Sequence, residues 1–282
     1  METNELFQID LQAILQSKAP QLARKIPRFA VNWLSRLICQ DQLNECLRKA
    51  HGLTGVQFMQ QKVTEDFNLT LALRGTENLP TADHRCIFAS NHPLGGLDGI
   101  CLSAVLGAQY DGNIRYLVND ILYFIKPLQD IFIPINKHGA QGTGAVNQLN
   151  EAFASDNQII TFPAGLCSRK NNGQIHDLEW KKMFVKKAVE YQRDIIPVYF
   201  DAHNSNFFYN FAKFRSTLGL KINLEMLLLP REMFKAKGST FTIYFGKAIP
   251  WQTLDASKTP QQWASVIASL TRNPLNQRAD VC

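Results

Sequence analysis

The chain has 282 residues, of which 45% are hydrophobic and 19% charged. That supplies a sizeable core and excludes an intrinsically disordered chain. The net charge of +6 and the pI near 9.0 favour an anionic partner, such as a phospholipid surface, a phosphorylated cofactor or a nucleic acid, without choosing among them.

The N-terminal stretch METNELFQIDLQ is acidic and mixed, unlike a signal peptide, and no apolar run approaches the roughly 18 residues that span a bilayer. The six cysteines, Cys39, Cys46, Cys86, Cys101, Cys167 and Cys282, form no CxxC pair. They read as reduced thiols of a cytoplasmic protein, with neither a disulfide framework nor a zinc site.

Residues 1–62 read as a helical segment. In PRFAVNWLSRLICQDQLNECLRKA, Phe29, Trp33, Leu34, Leu37, Ile38 and Leu43 form a broad apolar stripe, with Pro27 near the helix start. Arg24, Lys25, Arg28 and Arg36 crowd the same region. Such an element either lies on a membrane surface or packs on the following domain with its arginines solvated.

From residue 63 to 282 the pattern is that of one α/β domain. FNLTLALRG, CIFAS, IRYLV, IFIPI, QIITF, DIIPVYF and FTIYFG read as strands. DGICLSAVLGAQY, GAVNQLNEAFAS and LEWKKMFVKKAVEYQ read as helices between them. The expected fold is therefore α/β, a largely parallel central sheet flanked by helices, with an N-terminal helical appendage. TPQQWASVIASLTRN reads as a last helix, capped by Thr259 with Pro260 in its first turn.

Four stretches carry candidate chemistry. In IFASNHPLGGLDGICL, His92 follows a strand and Asp98 opens a helix, where the dipole favours a carboxylate. If Asp98 reaches one imidazole nitrogen, the other is left to take a proton from a hydroxyl. The bland alternative is a helix-capping Asp and a satisfied loop His. Asn91, Gly95 and Gly96 complete the loop as candidate substrate contacts, and the glycine-rich turn offers backbone N–H groups to an oxyanion. In IITFPAGLCSRK, a strand ends at Phe162; Pro163 and Gly165 turn the chain, and Ser168, Arg169 and Lys170 offer donors to an anion. Cys167 has no evident base and is a poor candidate nucleophile. In IFIPINKHG the strand ends at Asn136 and Lys137, a polar pair that is a candidate substrate contact, while IIPVYF is a buried strand that alone says nothing. A lipase would need a Gly-x-Ser-x-Gly elbow, which the sequence lacks.

Taken in order, NHPLGGLD, IFIPINK, FPAGLCSR and IIPVYF resemble the blocks of the glycerophosphate acyltransferase superfamily over residues 66–250. NHPLGGLDG, FPAGLCSRK and PVYFDAHNSNFFYN look closest to a bacterial branch of hemolysin-like, glycerol-acyltransferase-type proteins. That branch includes enzymes that O-acylate lyso-ornithine or lyso-glycine lipids. The resemblance implies that His92 is the general base, that Asp98 orients it, and that Gly165, Ser168 and Arg169 bind the acceptor head group. It implies a thioester donor, acyl-carrier protein or coenzyme A, as co-substrate with no further cofactor. It also implies a lyso-lipid acceptor, no nucleic acid partner, and a peripheral position on the inner face of the membrane. Asn204, Asn206, Phe207, Phe208 and Tyr209 are candidates for an acyl channel or a bilayer contact.

Two departures stand out. Five residues, Pro93 to Leu97, separate His92 from Asp98 where the family has four, and Ala164 stands where the common block has Glu. They keep open a second function class, a non-catalytic lipid- or acyl-carrier-binding protein on the same fold.

Overall fold

A computed structural model describes residues 8–18, 20–119, 125–135, 143–171, 173–219 and 223–271. The N-terminal part runs through α1 (Leu11–Lys18), α2 (Pro20–Ala23), α3 (Arg28–Leu37), α4 (Gln40–Lys49) and α5 (Gly55–Gln61), which continues as one π-helical turn, Lys62–Asp66. The α/β part follows as β1 (Thr70–Arg74), β2 (Cys86–Ser90), α6 (Leu97–Gln109), β3 (Ile114–Asn119), β4 (Phe132–Ile135), α7 (Thr143–Ala154) and β5 (Gln158–Thr161). A small hairpin, β6 (Arg169–Asn171) and β7 (Gln174–His176), precedes α8 (Met183–Glu190) and β8 (Asp194–Asp201). The chain ends through α9 (Asn206–Thr217), α10 (Leu229–Lys235), β9 (Thr240–Phe245) and α11 (Pro260–Leu270).

Seven strands form one sheet in the order β1-β9-β8-β2-β5-β3-β4. Every pairing is parallel except β8 with β9. β2 lies at the centre, between β5 and β8, and all five of its residues are buried. Alternation sends Cys86 and Phe88 to one face, with Met59, Phe67, Leu102 and Leu106. Ile87 and Ala89 go to the other, with Phe184, Val185, Ala188 and Ile267. Burial on both faces explains why CIFAS reads as an unbroken apolar run.

The loops that leave β2, β5 and β8 at their C-terminal ends meet at one edge of the sheet, where an α/β fold places ligands. α6 lies close on the sheet. A Cβ on Gly99 would fall 2.3 Å from the Tyr116 hydroxyl, and one on Gly107 2.4 Å from Val56. Thr259 caps α11 through a reciprocal capping box with Gln262, as its sequence leads one to expect.

Two helices differ from the sequence reading. The long N-terminal helix breaks at Cys39, whose φ of 53° is left-handed, so α3 and α4 are separate. The helix expected over 178–192 starts only at Met183. Trp180 is instead tied to Asp177 by its indole N–H, and Lys181 N–H donates to Pro163 O. These bonds hold residues 178–182 against the sheet edge in a non-helical path.

Candidate active site

His92 leaves the end of β2, and its backbone is fixed on both sides. Its N–H donates to both carboxylate oxygens of Asp177, at 3.1 and 3.2 Å, and its carbonyl accepts from Ser168 N–H at 2.8 Å. Asn91, just before it, makes a two-way clasp with β8. Its amide donates to Phe200 O at 3.0 Å and its oxygen accepts from Phe200 N–H at 2.7 Å. The Asn91 side chain therefore extends the β2–β8 pairing instead of facing a ligand, which corrects its assignment as a substrate contact.

The longer spacer does not separate the pair. Asp98 Oδ2 lies 3.0 Å from His92 Nδ1. The five intervening residues coil around the carboxylate, which also accepts from the backbone N–H groups of Leu94 (2.9 Å), Gly95 (3.3 Å), Gly96 (3.1 Å) and Gly99 (2.9 Å). Asp98 is fully buried. Burial by itself would raise its pKa, but the charge of His92 and these hydrogen bonds outweigh it and hold the carboxyl below its ordinary value. The bonds also correct the oxyanion expectation, since the N–H groups of Leu94, Gly95 and Gly96 already donate to Asp98.

The folded Asp98 titrates below the unfolded one. It therefore adds stability above the unfolded carboxyl pKa of about 3.9, and that contribution fades as pH falls through the folded value. Chemical denaturation of the wild type should accordingly weaken more steeply below about pH 4 than that of Asp98→Asn, which has no such carboxyl to protonate.

The two glycines have different duties. Gly95 has φ +74°, and a Cβ there would fall 2.8 Å from Leu229 Cδ1. Gly96 has φ −178°, which any residue adopts, and its Cβ would meet no atom within 4 Å. Gly95→Ala should lower the unfolding free energy by about 1–3 kcal/mol, while Gly96→Ala should leave it unchanged within about 0.5 kcal/mol, both measured by urea titration.

With Nδ1 at Asp98, Nε2 of His92 takes no hydrogen bond from the described residues. The side chain is 13% exposed and its ring lies 4.2 Å from that of Phe162, which in turn packs edge-on against Tyr116. A neutral imidazole held in this way can accept a proton from a hydroxyl brought to it.

The loop after β5 supplies the facing wall. Gly165 takes φ +71°, and its N–H closes a turn onto Phe162 O at 2.9 Å. Ala164 is buried. Cys167 is fully buried, and burial pushes its thiol up to about 11, which disqualifies it as a nucleophile. The family resemblance places Ser168 at the acceptor. Its side chain is instead 2% exposed and its hydroxyl donates to Asp177. Arg169 reaches a buried carboxylate, with its guanidinium 2.7 Å from Glu225 Oε1, while Arg215 Nε lies 2.7 Å from Glu225 Oε2. Lys170 Nζ donates to Asn206 Oδ1 at 2.9 Å. Asn136 and Lys137 lie outside the described residues.

Asp177 is the member that sequence reasoning missed. It is 8% exposed and accepts from His92 N–H, the Ser168 hydroxyl and the Trp180 indole. Burial raises its pKa despite those bonds. A buried carboxylate thus joins the two loops where Ala164 supplies none. The segment 204–209 splits as well: Asn204, Phe208 and Tyr209 are buried, whereas Asn206 and Phe207 are exposed.

The arrangement is a His–Asp pair at the carboxyl edge of a mostly parallel sheet, backed by a loop of the Phe-Pro-x-Gly type. A family model described as Acyltransferase matches residues 13–271. The chain belongs to this acyltransferase family. The acyltransferase is 47% identical over 267 residues to a lyso-glycine lipid O-acyltransferase of Phocaeicola vulgatus, covering 95% of each chain. It is 46% identical over 270 residues to the protein of that name from Bacteroides thetaiotaomicron, covering 96% of this chain and 98% of the other. A solved structure, the 1-acyl-sn-glycerophosphate acyltransferase PlsC of Thermotoga maritima, superposes with a TM-score of 0.50 at 15% identity over 89% of this chain and 90% of that one. That likeness concerns the fold alone. Together with the sheet order, it bears out the α/β architecture read from the acyltransferase sequence.

Proposed function

We propose that this acyltransferase O-acylates a lyso-lipid with an amino-acid head group, of which lyso-glycine lipid is the foremost candidate, at a cytoplasmic membrane surface and from a thioester donor. The observation that carries the reading is the 46–47% identity, across nearly the whole chain, to two proteins named for that reaction. The site geometry supports it, because a His–Asp pair with no nucleophilic side chain bonded to His92 among the described residues suits a substrate that brings its own hydroxyl.

The acceptor hydroxyl lies against His92 Nε2. As its oxygen attacks the thioester carbonyl carbon, Nε2 takes the proton, and Asp98 stabilises the imidazolium and fixes its tautomer. The tetrahedral intermediate collapses, the C–S bond breaks, and the departing sulfur takes the proton from the imidazolium. Ester and free thiol leave together. The ring of Phe162, itself packed on Tyr116, covers one side of the imidazole. Arg169, in the loop after β5, is held beside the site by Glu225, which also pairs with Arg215.

No helix of the described residues is long and apolar enough to cross a membrane. The proposed membrane contact is therefore peripheral. The test is incubation with a labelled acyl thioester, offered on coenzyme A or acyl-carrier protein, and a panel of lyso-glycine, lyso-ornithine and lysophosphatidate acceptors. The expected product is lyso-glycine lipid heavier by one acyl chain. Transfer to lysophosphatidate alone would reject the head-group assignment, and thioester binding without transfer to any acceptor would favour a binding protein.

A further inference from the structure

We infer that the protein docks on an anionic lipid bilayer through one composite face, built by α3 and α9 beside the His92 site; this rests on the reading that the acceptor is a membrane lipid. Along α9 and its C-cap residue, Phe207, Phe211, Phe214 and Leu218 recur at spacings of four, three and four, which places them on one side of the helix. Phe207 is 52% exposed, Phe214 62% and Leu218 58%. The opposite side, with Phe208, Tyr209 and Ala212, is buried. Phe211, between the two sides, stacks on Phe207 and is partly buried against the core. Core packing thus accounts for one side of α9 and leaves Phe207, Phe214 and Leu218 exposed.

α3 presents a second apolar pair, Phe29 at 75% and Trp33 at 61% exposure, one turn apart. The two helices belong to one face. Leu37 of α3 packs against the buried cluster of Cys167, Phe208, Tyr209 and Leu228. Trp33, Leu37, Arg231 and Phe234 line a common groove of about 490 Å³. The Arg231 guanidinium lies 5.9 Å from the centre of the Phe207 ring, linking the groove to the α9 stripe.

Charge selects the occupant. α3 and α9 contain no Asp or Glu, and their Arg28, Arg36 and Lys213 are exposed. Exposed Phe, Trp and Leu among basic side chains match a surface that lies in the headgroup region of anionic lipids. An acidic carrier protein would meet the basic residues but would give the row of phenylalanines no comparable apolar medium. The face also borders the site. Lys170, in the loop after β5, bonds Asn206 at the start of α9, and Leu229 of α10 packs against Gly95. An acceptor held in the bilayer can therefore present its hydroxyl to His92 without leaving the lipid.

The test is flotation of the full chain with phosphatidylcholine vesicles, with and without phosphatidylglycerol, for wild type, Phe29→Glu/Trp33→Ser and Phe214→Glu/Leu218→Glu. Transfer to a short-chain, water-soluble lyso-lipid is measured in parallel. The wild type should float with phosphatidylglycerol vesicles and release in high salt. Each double variant should bind roughly tenfold or more weakly, while its transfer to the soluble acceptor stays at the wild-type level, which also shows that it is folded. Wild-type-like flotation by both variants would overturn the inference. So would normal flotation combined with a raised KM for acyl-carrier protein donor, which would make the face a carrier-protein site. Wild-type flotation without transfer to any lyso-lipid would reject the proposed reaction yet support the docking face.

Discussion

Replacing His92 with alanine should reduce acyl transfer by about 10²- to 10⁴-fold, the usual contribution of a positioned general base. The loss should appear in kcat with every acceptor and both donor types, because all need a hydroxyl proton removed at Nε2. The fold should survive. The bonds that hold this loop come from the His92 backbone, to Asp177 and Ser168, and from Asn91 to Phe200, and none uses the imidazole. Asp98 keeps four backbone N–H donors in the variant, so its carboxylate stays satisfied. A denaturation midpoint close to that of the wild type, alongside the loss of turnover, would separate chemistry from stability.

The second large effect is expected at Asp177. Alanine there removes the acceptor of three donors, namely the His92 backbone N–H, the Ser168 hydroxyl and the Trp180 indole. Leaving buried donors unpaired should cost about 2–4 kcal/mol of unfolding free energy. Activity should fall more than tenfold even where the variant is folded, because a misplacement of about 1 Å at a reacting group can cost as much as 10²-fold. Asp177→Asn keeps one acceptor oxygen and should be intermediate in both readouts. The two variants thus have different signatures: His92→Ala loses rate without stability, whereas Asp177→Ala loses both. Urea titration beside initial rates resolves them.

The parts of the site that were legible in the sequence are those made by local geometry. His92 and Asp98 stand six positions apart across a strand-to-helix turn, so their pairing depends on one loop. The strands were legible because two-sided burial of β2 and β5 leaves short, continuous apolar runs. What was not legible depends on partners distant in the chain. Asn91 looks like a ligand contact until β8 is laid beside it, 109 positions later. Ser168 looks like a head-group donor until Asp177 folds back over it. Asp177 itself stood at the front of what read as a helix, and only the bonds of Trp180 and Lys181 show why that helix starts later. A buried-carboxylate signal did exist, in the Asp-x-x-Trp spacing between a hairpin and a helix, but it has no meaning without the loop it joins. The N-terminal stripe was seen in the sequence, yet its exposure was not, since periodicity marks an apolar side without saying what covers it.

The central claim is that the acceptor hydroxyl, activated by His92, is itself the nucleophile. It is tested most directly by mass spectrometry of the intact protein and the lipid products in one reaction. Wild type is mixed with a labelled acyl thioester and either lyso-glycine lipid or the same lipid lacking its hydroxyl. The account predicts labelled ester and free thiol in equal amounts with the hydroxyl lipid, neither with the deoxy lipid, and protein of unchanged mass in both. Protein heavier by one acyl chain in the deoxy reaction, with thiol released, would place the nucleophile on the enzyme and contradict it.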